Sequence, residues 1–142
     1  DARKSRGLGD VYKRQDSPQN ITNQVDLELV DESVLEQMIR DTSADIIPIL
    51  IDHYVAESQT RLVAIREATS NRDAQTLEFE VHTLGSTALS LGNRPLGELS
   101  RALEQQCLDQ QHNEAFLRID ELLELADRSI KALLERKEVG FS

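Results

Sequence analysis

The chain holds 142 residues, 39% hydrophobic and 30% charged, with 4% aromatics, no Trp and one cysteine. That suffices for one buried core, rules out an intrachain disulfide and makes the cytosol the default compartment. The formal charge of −10 argues against a phosphate backbone as main partner, and no apolar run approaches the roughly 20 residues of a membrane span.

The charge is uneven: residues 1–24 carry +2 and the remainder −12. This first stretch has no hydrophobic period and reads as a disordered tail or linker. Within it, Gly-Asp-Val-Tyr-Lys-Arg-Gln at 9–15 has the character of a cloning or assembly scar. The folded domain is expected over 25–142. Asp31, Glu32 and Ser33 ahead of Val34, Leu35, Met38 and Ile39 predict a short helix over 31–41. Asp45 is placed as the cap of a long second helix, with Pro48 in its first turn. That helix runs to about Thr69 and sets Ile47, Leu50, Ile51, Tyr54, Val55, Ser58, Leu62 and Ile65 on one side.

Ser70-Asn71-Arg72-Asp73 resembles a capping-box start for a third helix over 72–91, stopped by Gly92. Asn93 and Pro95 restart the chain, and Leu96, Leu99, Leu103 and Cys107 form a helical stripe to about 109. Gln110–Asn113 is the expected connection. A last helix over 114–137 buries Phe116, Ile119, Leu122, Leu123, Ala126, Ile130, Leu133 and Leu134. Short connections between long amphipathic helices predict an all-α fold, an antiparallel up-down four-helix bundle preceded by a short N-terminal helix.

The third helix carries the most informative stretch. At about 100° per residue, Leu77, Val81, Leu84, Ala88 and Leu91 share one stripe, and His82 lies well off it. Glu78, Phe79, Gly85, Ser86 and Leu89 share the histidine's side. Glycine inside a helix costs about 1 kcal/mol relative to Ala, so Gly85 needs a reason. Close helix packing is one, and clearance beside His82 is the other. Two small residues together on that side favour clearance, with Phe79 and Leu89 as apolar flankers.

Other chemistries find little support. No catalytic triad or phosphate-cradling glycine loop can be assembled, and His53, His82 and His112 lack metal-site spacing. Cys107 lies on a core stripe and reads as a small buried hydrophobe.

The pattern His82-x-Leu84-x-x-x-Ala88-x-x-Leu91-Gly92, followed by Leu96-x-x-Leu99-x-x-x-Leu103-Glu104, resembles the histidine-containing phosphotransfer (HPt) domain of multistep two-component phosphorelays. The motif covers the third and fourth helices, and the helix order extends the likeness to roughly 25–138. The resemblance implies that His82 accepts a phosphoryl group from a receiver-domain aspartyl phosphate and passes it to another receiver aspartate. It implies a carrier without ATP-dependent kinase activity of its own, either free-standing or the C-terminal module of a hybrid sensor kinase. Response-regulator receiver domains are the implied partners, with a sensor histidine kinase in cis or in trans as a further candidate. No intrinsic cofactor is expected, the Mg²⁺ being the receiver's, and the domain is expected to be a cytoplasmic monomer without nucleic-acid or membrane contact. Glu78, Phe79, Gly85, Ser86 and Leu89 are its candidate docking or phosphate-proximal residues.

The family commonly has Lys three residues after the histidine and Gly four after, where this chain has Gly85 and Ser86. Arg61, Arg66, Arg94 and Arg101 are the cations on neighbouring helices available in its place, and Ser86 is able to hydrogen-bond a phosphate. The competing reading is a helical interaction module that docks a receiver-like partner without accepting phosphate. The dimeric phosphoacceptor hairpin of a histidine kinase fits less well, because this chain has enough helices for a bundle of its own.

Overall fold

The computed structural model describes residues 29–141; the 1–24 tail and the expected onset at Val25 lie outside the described residues. Every regular element among them is helical: α1 (Glu32–Asp41), a 3₁₀ turn (Ala44–Ile46), α2 (Ile47–Ser70), α3 (Ala74–Ser90), α4 (Arg94–Leu108), α5 (His112–Leu117) and α6 (Ile119–Val139). None is long and apolar enough to cross a membrane.

Three of the connections share one geometry. α2 ends with Arg72 in the left-handed region (φ 55°), its N–H bonded to Thr69 O and the Asp73 N–H to Ala68 O. α3 ends likewise through Gly92 (φ 90°), with Asn93 N–H reaching Ala88 O, and α4 through Gln110 (φ 64°), with Gln111 N–H reaching Gln106 O. These are Schellman turns, which satisfy the last carbonyls of a helix and reverse the chain in few residues. The first explains a shift from the sequence expectation. Asn71–Asp73 closes α2, so α3 starts at Ala74 rather than 72, and its cap is Asp73, which accepts from the Thr76 N–H at 3.1 Å.

Two other expectations need correction. Asp45 does not cap the second helix; it lies inside the 3₁₀ turn, and Ile46 precedes α2 without a side-chain cap. Pro48 in the first turn has no N–H to satisfy, which lessens the need for one. The last helix is also two. His112 opens α5 rather than belonging to the connection, and the Arg118 N–H reaches back three residues to Ala115 O. That tightened turn separates α5, which buries Ala115 and Phe116 near α4, from α6.

α3 packs between α2 and α4, and α6 packs on both α4 and α2. Leu35, Ile47, Ile51, Ile65, Leu77, Val81, Leu84, Leu96, Leu103, Leu122 and Leu133 fill the interior with no exposure. Of the expected stripes, Leu50, Val55, Leu91, Leu123 and Leu134 are only partly covered.

One buried polar group fastens the turn between α3 and α4. Asn93 is wholly buried; its Oδ1 accepts from Tyr54 Oη at 2.8 Å, and its Nδ2 donates to Leu29 O at 2.8 Å and Ser129 O at 3.2 Å. Burial drives the Tyr54 hydroxyl well above its ordinary range, so it remains a donor. Beside it, the Asp31 N–H donates to Gly92 O at 2.7 Å, and the Asp31 carboxylate caps α1 and pairs with Arg94. The Ser33 hydroxyl and then Arg94 lower the Asp31 pKa to about 2. The contribution of this latch is therefore complete above the ordinary carboxylate range and is lost as pH falls through about 2.

Candidate functional site

α3 and α4 form a hairpin pivoting on Asn93, and antiparallel helices place residues equally far from the pivot side by side. His82 and Glu104 lie 22 positions apart with Asn93 midway, and they meet: His82 Nδ1 is 2.8 Å from Glu104 Oε2. The same symmetry sets Leu89 against Gly97 and Gly85 against Arg101.

The histidine side chain is 56% exposed and the glutamate 19%. An ionised carboxylate only accepts, so the ring proton resides on Nδ1 and is donated to Glu104. Nε2 then carries the lone pair on the exposed ring. A second group that orients an imidazole and fixes its tautomer is a recurrent device for presenting one nitrogen. The sequence motif contains Glu104 but gives it no role. The hairpin symmetry about Asn93 is the signal that identifies it.

The open surface beside His82 is not at Gly85 and Ser86. A depression of about 490 Å³ lies on the N-terminal side, lined by Gln75, Glu78, Phe79, His82 and Glu104. Helical side chains lean toward the N-terminus of their helix, so the ring at 82 overlies the turn carrying 78 and 79. Glu78 is half-buried there, and Phe79 is 58% exposed with the Arg61 guanidinium 5.9 Å from its ring centre.

Gly85 is buried, and the clearance reading of it gives way to packing. A Cβ at 85 would stand 3.2 Å from Ser100 Cβ and 3.4 Å from Arg101 Cγ. Gly97 answers it from α4: a Cβ there would stand 2.6 Å from Leu89 Cγ and 3.2 Å from Gly85 O. The two glycines let the helices approach closely enough for His82 to reach Glu104. Leu89 is accordingly half-covered by α4, and Ser86 is half-buried. Of the predicted docking residues, the structure thus gathers Glu78 and Phe79 around the ring and turns Gly85 and Leu89 inward.

The cations differ in availability. Arg61 is bonded to Glu80 at 3.3 Å and Glu57 at 3.5 Å, on the α2 side of α3. Arg94 is held by Asp31 at the far end of the hairpin. Arg66 is exposed on α2, and Arg101 is exposed on α4 with its stem over Gly85. Cys107 lies buried below the site. Burial first, then the Glu78 and Glu104 carboxylates, push its thiol upward, which suits the small hydrophobe expected.

Comparison with known proteins bears on the family and the fold. A family model described as the Hpt domain matches residues 49–136, from the first turns of α2 to near the end of α6. Among solved structures, the histidine-containing phosphotransfer protein B (HptB) from Pseudomonas aeruginosa PAO1 superposes with a TM-score of 0.62 at 23% identity. The match covers 78% of this chain and 96% of that one, a likeness of fold. No curated protein matches the chain by sequence. With more than half of its residues under the family model, the chain belongs to the Hpt domain family.

Proposed function

We propose that this chain is a phosphorelay carrier that accepts a phosphoryl group on His82 from a receiver-domain aspartyl phosphate and delivers it to another receiver aspartate. The observation that carries the reading is the exposed imidazole whose Nδ1–H is held by Glu104, leaving Nε2 free to react. In the step, the Nε2 lone pair forms the N–P bond as the P–O bond to the donor aspartate breaks, and that aspartate leaves as carboxylate. No proton need move. The ring becomes an N-phosphorylated imidazolium, and the Glu104 carboxylate on Nδ1 stabilises its new positive charge, as a buried carboxylate does for a catalytic histidine. Return transfer reverses each bond.

Phosphoryl transfer demands mainly in-line placement and charge stabilisation. The receiver supplies the Mg²⁺ and the acidic pocket, so this chain supplies a nucleophile at the edge of an open depression. Phe79 and Glu78 border the ring on the side a receiver would approach. The pairwise helix packing and tight turns support an antiparallel up-down four-helix bundle with α1 laid against its α3–α4 turn. A sensor kinase in cis or in trans would feed the relay.

The test is incubation with a phosphorylated receiver and Mg²⁺, followed by intact mass and mapping. An acid-labile, base-stable adduct on His82, absent from His82→Gln, is expected. Binding to several receivers with no adduct would instead support the interaction-only module.

A further inference from the structure

We propose that Arg101 is the residue that holds the phosphoryl oxygens on His82; this rests on the carrier reading above. A phosphoryl group brings a charge of roughly −1.5 to −2 at neutral pH. On Nε2 it would lie between two carboxylates, Glu104 on Nδ1 and Glu78 on the rim of the depression. Like charges at that range repel, so the phosphorylated state needs a cation close by.

Three of the four nearby arginines are poorly placed. Arg61 is engaged by Glu57 and Glu80 on the flank of α3 facing α2, whereas His82 faces α4. Arg66 is on α2 as well. Arg94 pairs with Asp31 at the Asn93 end, roughly 16 Å along the hairpin at 1.5 Å per residue. Arg101 stands on α4 within one turn of Glu104, and no carboxylate among the described residues forms an ion pair with it. Its stem lies over Gly85, one turn beyond His82, where Cγ is 3.4 Å from the position of an added Cβ. Gly85 therefore serves twice. It lets α4 approach, and its bare backbone leaves room for the Arg101 stem between the two helices, one turn from His82. A guanidinium presents a planar fork suited to two phosphoryl oxygens, and being permanently charged it acts at any pH where the carrier works.

The experiment uses the full chain with phosphoramidate as donor, so that no receiver interface is involved. Transfer breaks the donor P–N bond, releases ammonia and forms the Nε2–P bond. Rate and lifetime of the His82 adduct are read by intact mass for wild type, Arg101→Gln and Arg101→Lys, with circular dichroism confirming the fold. Arg101→Gln should slow adduct formation and shorten its lifetime roughly tenfold, and Arg101→Lys should recover most of both. An adduct on His82 that forms and decays equally in wild type and Arg101→Gln overturns the role of Arg101 while leaving the carrier intact. No adduct on His82 even in wild type overturns the carrier reading and this assignment with it.

Discussion

Two polar side chains of the α3–α4 hairpin, Asn93 and His82, are used in opposite ways. At the turn, Asn93 has no solvent exposure and both ends of its amide are bonded within the protein, tying Leu29, Tyr54 and Ser129 together. Eleven residues back along α3, His82 is more than half exposed and has one ring nitrogen bonded and the other without a partner among the described residues. A buried polar group that is fully paired fixes a fold, because leaving it unpaired is costly. An exposed one that is half paired is oriented yet still able to react. The difference between structure and chemistry here is the single unsatisfied nitrogen.

Asn93→Ala should show the structural side at full size. It strands the Tyr54 hydroxyl and two backbone carbonyls and leaves a small void, for a loss of about 2–4 kcal/mol in denaturant unfolding. Phosphorylation of His82, measured under conditions where the variant is still folded, should proceed at the wild-type rate. A large loss of rate in the folded variant would show that the two places are not separable.

Gly97→Ala should damage both. Its Cβ would fall 2.6 Å from Leu89 Cγ and 3.2 Å from Gly85 O, so the helices or Leu89 must shift, at a cost of roughly 1–3 kcal/mol. Because the same spacing brings Glu104 to His82, the phosphorylation rate should fall with stability. Wild-type rate in a destabilised Gly97→Ala would mean that Leu89 moved and the helices did not.

Glu104→Ala isolates the chemical side. Losing the group that orients the ring should slow phosphorylation about tenfold, equivalent to about 1.4 kcal/mol, with the unfolding midpoint little changed because the histidine half of the pair is largely solvated. Glu104→Gln keeps an acceptor for Nδ1–H but not the charge. Its rate, between those of Ala and wild type, separates orientation of the ring from stabilisation of the phosphorylated imidazolium.

The sequence reveals these parts unequally, for physical reasons. Helical periodicity gives the order of the long helices, and Gly92 marks its turn because glycine alone adopts a positive φ freely. His82 shows because it lies off the apolar stripe. Gly85 is misread because a helical wheel gives angles and not neighbours. Only with Gly97 and Ser100 known to lie opposite does its burial follow. Glu104 and Asn93 look like ordinary polar residues of a helix and its cap until the hairpin folds. The break at Arg118 leaves no mark, since Ala115, Phe116, Ile119 and Leu122 keep a helical spacing across it.

The three Schellman turns bear on the smallest effect. Gly92 occupies one left-handed position, while Arg72 and Gln110 occupy the other two at φ 55° and 64°. Arg72 is compensated: its guanidinium donates to Asn113 Oδ1 at 2.8 Å and stacks 4.7 Å from the Phe116 ring centre. Gln110 is exposed, and no side-chain bond of its own is found among the described residues. Gln110→Gly relieves the steric cost of a left-handed residue, which exceeds the added entropy of the unfolded chain. It should stabilise by roughly 0.5–1 kcal/mol in denaturant unfolding, without altering phosphorylation. Arg72→Gly should destabilise, because the same relief is outweighed by the lost hydrogen bond and ring contact. Opposite signs at two turns of one geometry would show that contacts of the side chain, not the backbone angle alone, decide which residues a left-handed position tolerates.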